Sequence, residues 1–191
     1  MIETQKMKAY LEERLSPKRY KHSLGVADEA VRLAKRYGAD ENKAYIAGLV
    51  HDLAKEVNPE TAIELLEKRY GEKVDAVARC APKLLHGPLG AHIAKSEFEI
   101  CDEEILGAIR YHTTAKADMD ILTKIIYIAD YIEPNRNFDG VDELRKAAYE
   151  DIDKSIITGI DYTLAELLEA GRVFHPDTVY ARNYLILQMQ G

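Results

Sequence analysis

His51 and Asp52 stand side by side in LVHDLAKE, where the flanking Leu, Val and Ala residues follow a pattern of apolar burial. An imidazole and a carboxylate on one rigid element give a cation two ligands of different kind, and neighbouring elements need only complete the shell. Further groups of suitable chemistry occur at His22, His86, His92, His112 and Asp130. Asp130 lies in IIYIADYIEP, the most apolar stretch of the chain, with no other charge between Lys124 and Glu133. A carboxylate buried there needs a partner, and a metal ion is one. An arginine, or an exposed position on the helix, is the plainer alternative. His22, in RYKHSLGVADEA, is by itself as well explained by a hydrogen-bonded histidine between helices. Adjacent His and Asp also occur by chance, so only the whole set carries weight.

Groups so far apart in sequence must be carried by elements stiff enough to bring them together, and the chain reads as helices. Ser16 followed by Pro17 is a cap and first-turn pair, with Gly38 closing the segment; Asn58 followed by Pro59 opens another that Gly71 closes. Tyr20, Leu24, Ala27, Val31 and Ala34 recur at three or four residue spacing, as do Ala44, Ala47, Val50 and Ala54, which predicts helices that each bury one face. Further helices are expected over 3–15, 41–56, 88–98, 103–112, 120–132, 141–149, 152–170 and 176–189. Strand-like alternation is hard to find, so the expected fold is all-α, one domain over 1–191. The irregular segments are 81–90, 133–140 and 172–178, and they hold unusual polar residues.

A chain of 191 residues that is 47% hydrophobic can close one substantial core without needing a second. Its 33 acidic and 26 basic residues give a formal charge of −7, which argues against a nucleic-acid polymer held through phosphate contacts. A local cluster of Arg and Lys can still hold a small phosphate ligand. Cys80 and Cys101 lie in different segments without a CxxC, so neither a disulfide framework nor a zinc ribbon is indicated, and both are expected to be small buried hydrophobes. MIETQKMKAYLEERL carries charges throughout and shows no apolar export signal. IIYIADYI is far short of the ~20 residues of a membrane span. A cytoplasmic protein without a membrane partner is expected, and a homodimer is compatible with it.

The order His22, His51-Asp52, His86, His112, Asp130 on a run of helices resembles the HD-domain superfamily of metal-dependent phosphohydrolases. HDLAK, LHGPLGA, YHTT, IAD with EPNR, and VFHPDT are similar, more narrowly, to the YqeK family of bacterial HD proteins, over about residues 16–180. The resemblance implies a helical HD fold with a metal site between core helices. It also implies symmetrical hydrolysis of dinucleoside tetraphosphates, chiefly diadenosine tetraphosphate, to two ADP; the residue types alone reach only a metal-assisted hydrolase. By the same resemblance His22, His51, Asp52 and Asp130 hold a metal, for which iron is the family's choice. Two imidazoles and two carboxylates also suit manganese, cobalt or zinc.

His86 and His112 occupy the places where two-metal HD proteins bind a second ion, or else they contact substrate phosphates, which is the preferred reading. Asp52, Asp130, His86 and His112 are thus the catalytic candidates, with Asp52 or Asp130 orienting a metal-bound water as nucleophile. Arg19, one turn before His22, Lys55, one turn after the dyad, and Arg136 in EPNR are placed to hold phosphates, although each could equally be a solvated surface charge. His22, Thr113 and the segment Val173, Phe174, His175, Pro176, Asp177 and Thr178 are expected against the substrate, a loop role being the plainer reading of His175. His92 fits no motif position and is read as structural. Tyr111, Tyr127 and Tyr131 could stack on a base, but tyrosines at helical spacing usually belong to a core. The competing readings are an HD phosphohydrolase of nucleoside mono- or diphosphates or deoxynucleotides, a non-catalytic metal-containing nucleotide sensor, and a helical interaction module.

Overall fold

A computed structural model describes residues 4–190, which contain helices and no strand. Eleven α-helices follow in order: α1 (Thr4–Arg14), α2 (Pro17–Tyr37), α3 (Glu41–Val50), α4 (Pro59–Glu64), α5 (Ala76–Cys80), α6 (His86–Phe98), α7 (Glu103–Tyr111), α8 (Ile121–Ile132), α9 (Val141–Glu150), α10 (Ile152–Glu169) and α11 (Pro176–Gln190). The all-α expectation holds. Residue 3, the expected start of the first helix, lies outside the described residues, as do the two ends of the 1–191 domain.

Local chemistry sets most boundaries. Asp40, Asn58, Asp75, Asp102, Asp120 and Asp151 each accept a hydrogen bond from the first turn of the helix they precede. Each such cap stabilises its helix by ~0.5–2 kcal/mol. Gly38 ends α2 in the left-handed region at φ 68°. Ser16 departs from expectation: it makes no side-chain cap, and its hydroxyl donates instead to Glu56 Oε1 at 2.6 Å.

α8 is the centre of the molecule. Leu122, Ile125, Ile126, Tyr127, Ile128, Ala129 and Ile132 are buried, with α2, α3, α7 and α10 packed around it. Tyr127 therefore belongs to the core, as the plainer reading had it. α2 buries His22, Ser23, Val26, Ala27, Ala30, Leu33 and Ala34. Tyr20, Leu24 and Val31, expected on that face, are only partly buried, because polar His22 and Ser23 occupy inward positions that apolar periodicity does not register.

Three expectations are corrected. The helix expected over 41–56 stops at Val50, and the chain continues through tight turns closed by Leu53 N–H to Val50 O at 3.1 Å and Lys55 N–H to Asp52 O at 2.9 Å. His51 and Asp52 therefore sit on a helix end, not inside a helix. The irregular segment 81–90 is largely ordered, since a short 3-10 turn at Pro82–Leu84 runs into α6, whose first residue is His86. Cys80 and Cys101 are free and exposed, not buried, because each lies at a junction between helices.

Candidate metal centre

Four imidazoles converge, and each is tied back through Nδ1. His51 Nδ1 donates to Gly48 O at 2.7 Å, His86 Nδ1 to Lys83 O at 2.5 Å and His112 Nδ1 to Ile109 O at 2.7 Å. A carbonyl oxygen can only accept, so these three nitrogens carry the proton and leave Nε2 free to act as a ligand. His51 and His112 each follow the last residue of a helix, where backbone carbonyls lack intrahelical partners, and their rings supply the missing donor. His22 Nδ1 lies 3.1 Å from Glu133 Oε1, so a buried carboxylate does for His22 what the carbonyls do for the others.

Asp52 joins two halves of the cluster. Its Oδ2 is 3.7 Å from His22 Nε2 and 3.6 Å from His51 Nε2, whereas Oδ1 is 3.0 Å from His86 Nε2 and 3.5 Å from His112 Nε2. Asp130 Oδ1 closes the first half at 3.0 Å from His22 Nε2 and 4.0 Å from His51 Nε2. Ligand atoms of His22, His51 and Asp130 all lie within 4.8 Å of one another, as do those of His51, Asp52 and His112.

These residues fit a metal. His22 Nε2, His51 Nε2 and Asp52 Oδ1 are buried without a hydrogen-bond partner, the 3.0 Å approaches to His22 and Asp52 lacking hydrogen-bond geometry. Each such orphan costs ~1–3 kcal/mol; a divalent cation in the first half satisfies His22 Nε2 and His51 Nε2, while Asp52 Oδ1 faces the His86 and His112 side. Protonation states agree with ligation. Burial pushes the His51 imidazole down to about 3 and the His86 imidazole to about 4, so both are neutral at pH 7. Burial alone would raise Asp52 and Asp130, but the surrounding histidines, with Arg136 beside Asp130, hold both carboxyls well below their usual range.

The three expected cations gather here. Arg19 Nη1 donates to Asp52 Oδ2 at 2.8 Å, and Lys55 Nζ lies 3.4 Å from Asp52 Oδ1 and 3.0 Å from His86 Nε2. Arg136, expected to hold a phosphate, grips Asp130 through Nη2 to Oδ1 and Nε to the Asp130 carbonyl at 2.7 Å. The end of α8 at Ile132 and the turn that follows bring it straight back onto that helix.

Other candidates stand apart from the cluster. Thr113 borders it, its Oγ1 buried and unpartnered. His175 Nε2 is 3.2 Å from Asp75 Oδ2, and with Asp177, Arg110 and Thr113 it lines a separate cavity of about 190 Å³. Val173 and Phe174 are exposed, Pro176 begins α11 and Thr178 is buried. The 173–178 segment thus meets the centre only through the wall it shares with Thr113. His92 bonds Glu72 at 2.6 Å and stacks on Tyr70 at 4.4 Å, outside the cluster.

Sequence reasoning missed Glu133, Asn135 and Arg145. Glu133 Oε2 accepts from Asn135 N–H at 2.7 Å, and Arg145 donates to the carbonyls of Ile132, Glu133 and Arg136 at 2.9, 3.1 and 2.8 Å. Together they hold the end of α8 in place. An acid placed directly after so apolar a helix is the signal that could have found Glu133.

A sequence profile described as HD domain matches residues 19–135. A symmetrical bis(5'-nucleosyl)-tetraphosphatase of Bacillus subtilis (strain 168) is 42% identical over 179 residues, 93% of this chain and 95% of that one. One of Staphylococcus aureus (strain NCTC 8325 / PS 47) is 37% identical over 182 residues, 94% and 93% of the two chains. A crystal structure from Clostridium acetobutylicum, described as a predicted HD superfamily hydrolase involved in NAD metabolism, superposes with a TM-score of 0.96 at 48% identity over 98% of this chain and 99% of that one.

Proposed function

Since the chain belongs to the HD-domain family, on the branch of the symmetrical bis(5'-nucleosyl)-tetraphosphatases, we propose that it hydrolyses diadenosine tetraphosphate and related dinucleoside polyphosphates to two nucleoside diphosphates. What carries this reading is the presence of the buried His and Asp cluster in a chain that matches, over nearly its whole length, relatives named for that reaction. One water is consumed: its oxygen joins the phosphorus on one side of the central bridging oxygen, which leaves with the other ADP.

In this reading His22, His51, Asp52 and Asp130 hold the metal. Bound there, a metal supplies an acidified water at neutral pH and neutralises charge on phosphate oxygens. We take it to be iron, with manganese, cobalt and zinc equally suited to these donors. Asp52 and Asp130 each have a second oxygen with which to orient the attacking water. Arg19, Lys55 and Arg136 already face the carboxylates and carry spare N–H donors for phosphate oxygens.

For His86 and His112 the preference for phosphate contact reverses. Their Nε2 atoms lie 2.9 Å apart with Nδ1 protons turned away. Two facing lone pairs support a second cation held by both, whereas a phosphate oxygen offers no proton. Thr113 and the 173–178 segment stay in the proposal as nucleotide contacts, carried by family resemblance and by the cavity that Thr113 shares with His175 and Asp177.

No helix among the described residues is long and apolar enough to cross a membrane. A cytoplasmic protein acting on a small molecule, with no nucleic-acid polymer, completes the proposal. Exposed Tyr180 and Leu187, seven residues apart on α11, support a homodimer, which sedimentation can check.

Product chromatography on metal-analysed protein is the test. Diadenosine tetraphosphate should yield ADP alone, and oxygen-18 water should label one ADP per turnover. ATP plus AMP would mean asymmetric attack. The panel includes NAD, because the Clostridium acetobutylicum relative is described in terms of NAD metabolism, and deoxynucleotides; turnover of either without any dinucleoside polyphosphate defeats the proposal.

A further inference from the structure

We propose that the cavity between α8, the turn at 136–140 and α10 is the subsite for one nucleoside of the dinucleotide, with Tyr162 stacking on its base and Glu166 holding its ribose hydroxyls. This rests on the hydrolytic reading above. The cavity measures about 520 Å³, within the roughly 300–1,000 Å³ of small-molecule sites. His112, Asp130 and Arg136 form one end of it, so a ligand lodged there reaches the metal centre.

The wall away from the centre has the chemistry of a nucleoside site. Phe138 and Tyr162 leave 37% and 44% of their surface exposed, although large aromatic rings gain by burial. A base slipped against them covers that surface, and ring stacking tolerates any base. Tyr162 is already placed: a Cβ built on Gly140 would stand 3.0 Å from its Oη, so the phenol lies directly over the turn. Behind it the hydroxyls of Tyr131 and Thr163 are hydrogen-bonded, joining α8 to α10. Asp139 and Glu166 supply carboxylates, the groups that accept from a ribose diol.

Charge sorts the substrate's parts. Across Arg136 and Phe138 lies a second cavity of about 860 Å³, where Lys18, Arg19, Lys21 and Arg136 outnumber the carboxylates of Glu56 and Glu133. Phosphates favour those cations and are repelled by Asp139 and Glu166. The polyphosphate therefore lies over the centre against the cations, one nucleoside stays in the aromatic, acidic cavity, and the other is left to Thr113 and the 173–178 segment.

The experiment compares diadenosine tetraphosphate with adenosine 5'-tetraphosphate, which keeps the four phosphates but has one nucleoside. Tyr162→Ala and Glu166→Gln, at parental metal content and melting temperature, should reduce the preference in kcat/KM for the dinucleotide at least tenfold, mainly through KM. Tyr162→Phe should restore most of it by keeping the ring. An unchanged preference in both variants overturns the inference. Photolabelling of metal-loaded protein with 8-azido-ADP gives a second measurement: the label should map to the segment 138–166 and be displaced by excess diadenosine tetraphosphate, and a label confined to other segments overturns the inference. A parent that hydrolyses no dinucleoside polyphosphate defeats the functional reading instead, while the photolabel still reports where an adenine nucleotide lodges.

Discussion

Glu133 stands behind His22 as a carboxylate stands behind a metal-bound histidine, fixing both the tautomer and the ring plane. Loss of such a partner typically costs 10–100-fold in metal affinity. Glu133→Gln should therefore retain the fold, since the amide can still accept from Asn135, but bind metal roughly ten to a hundred times more weakly; titration with metal-sensitive fluorescence will show it. His51→Ala and Asp52→Ala remove proposed ligands outright and should lose both metal and nearly all hydrolysis, while Asp130→Asn should be inactive with the fold kept. Elemental analysis decides, and parental metal content in all three would mean that the centre is wrongly placed. Arg136 has acquired a double role, because the guanidinium that could hold a phosphate also grips Asp130. Arg136→Ala should thus lower kcat/KM by about 1.5–3 kcal/mol in free energy. Lysine should rescue only part of it, restoring charge but not the planar fork. An unchanged KM and turnover would place Arg136 outside the site.

Two helix contacts bring the ligands within reach of one another, and each depends on a glycine. A Cβ on Gly48 would meet Ala27 Cα at 2.8 Å, and one on Gly87 would meet the Arg110 carbonyl at 2.5 Å. The first contact presses α3 onto α2, which brings His51 to His22; the second presses α6 onto α7, which brings His86 to His112. Gly48→Ala should destabilise by ~1–3 kcal/mol through overpacking and also weaken metal binding, because spreading the helices spreads the ligands. Gly107, within α7, makes the control: the nearest atom to its added Cβ is Thr123 Oγ1 at 3.9 Å. Gly107→Ala should be neutral or gain up to ~1 kcal/mol from helix propensity. Denaturant melts and metal titrations of the pair will tell contact from propensity, and equal behaviour of the two variants would dismiss the close-approach argument.

At the scale of the whole molecule the centre is also a stability device. Ligands from α2, α8 and the end of α3 are far apart in the chain and meet only in the folded state, so a metal that binds them favours folding by mass action. At a free metal concentration 100 times its Kd the gain is ~2.7 kcal/mol. For a domain of this size that corresponds to ~5–10 °C in Tm. Chelation should lower the melting temperature by about that much, re-addition should restore it, and His51→Ala should melt at the same temperature with and without metal. A parent whose melting is indifferent to chelation would show that the cluster is satisfied without an ion.

Much of this protein was legible one segment at a time. The ends of α2 follow from Pro17 and Gly38, and the start of α4 from Asn58 and Pro59, since caps and left-handed turns depend on a few adjacent residues. The His51-Asp52 dyad and Asp130 announced themselves as polar groups inside apolar runs. Resemblance to a known family then ordered these residues into one centre. Only the tertiary structure decided where helix α3 stops, which face of α2 turns inward, and that Arg136 spends its charge on Asp130. It alone joined Glu133 to His22 across 111 residues and set His86 against His112. Those pairings depend on how closely helices can approach, which is governed by side-chain volume at contacts distant in sequence; no local pattern encodes that distance.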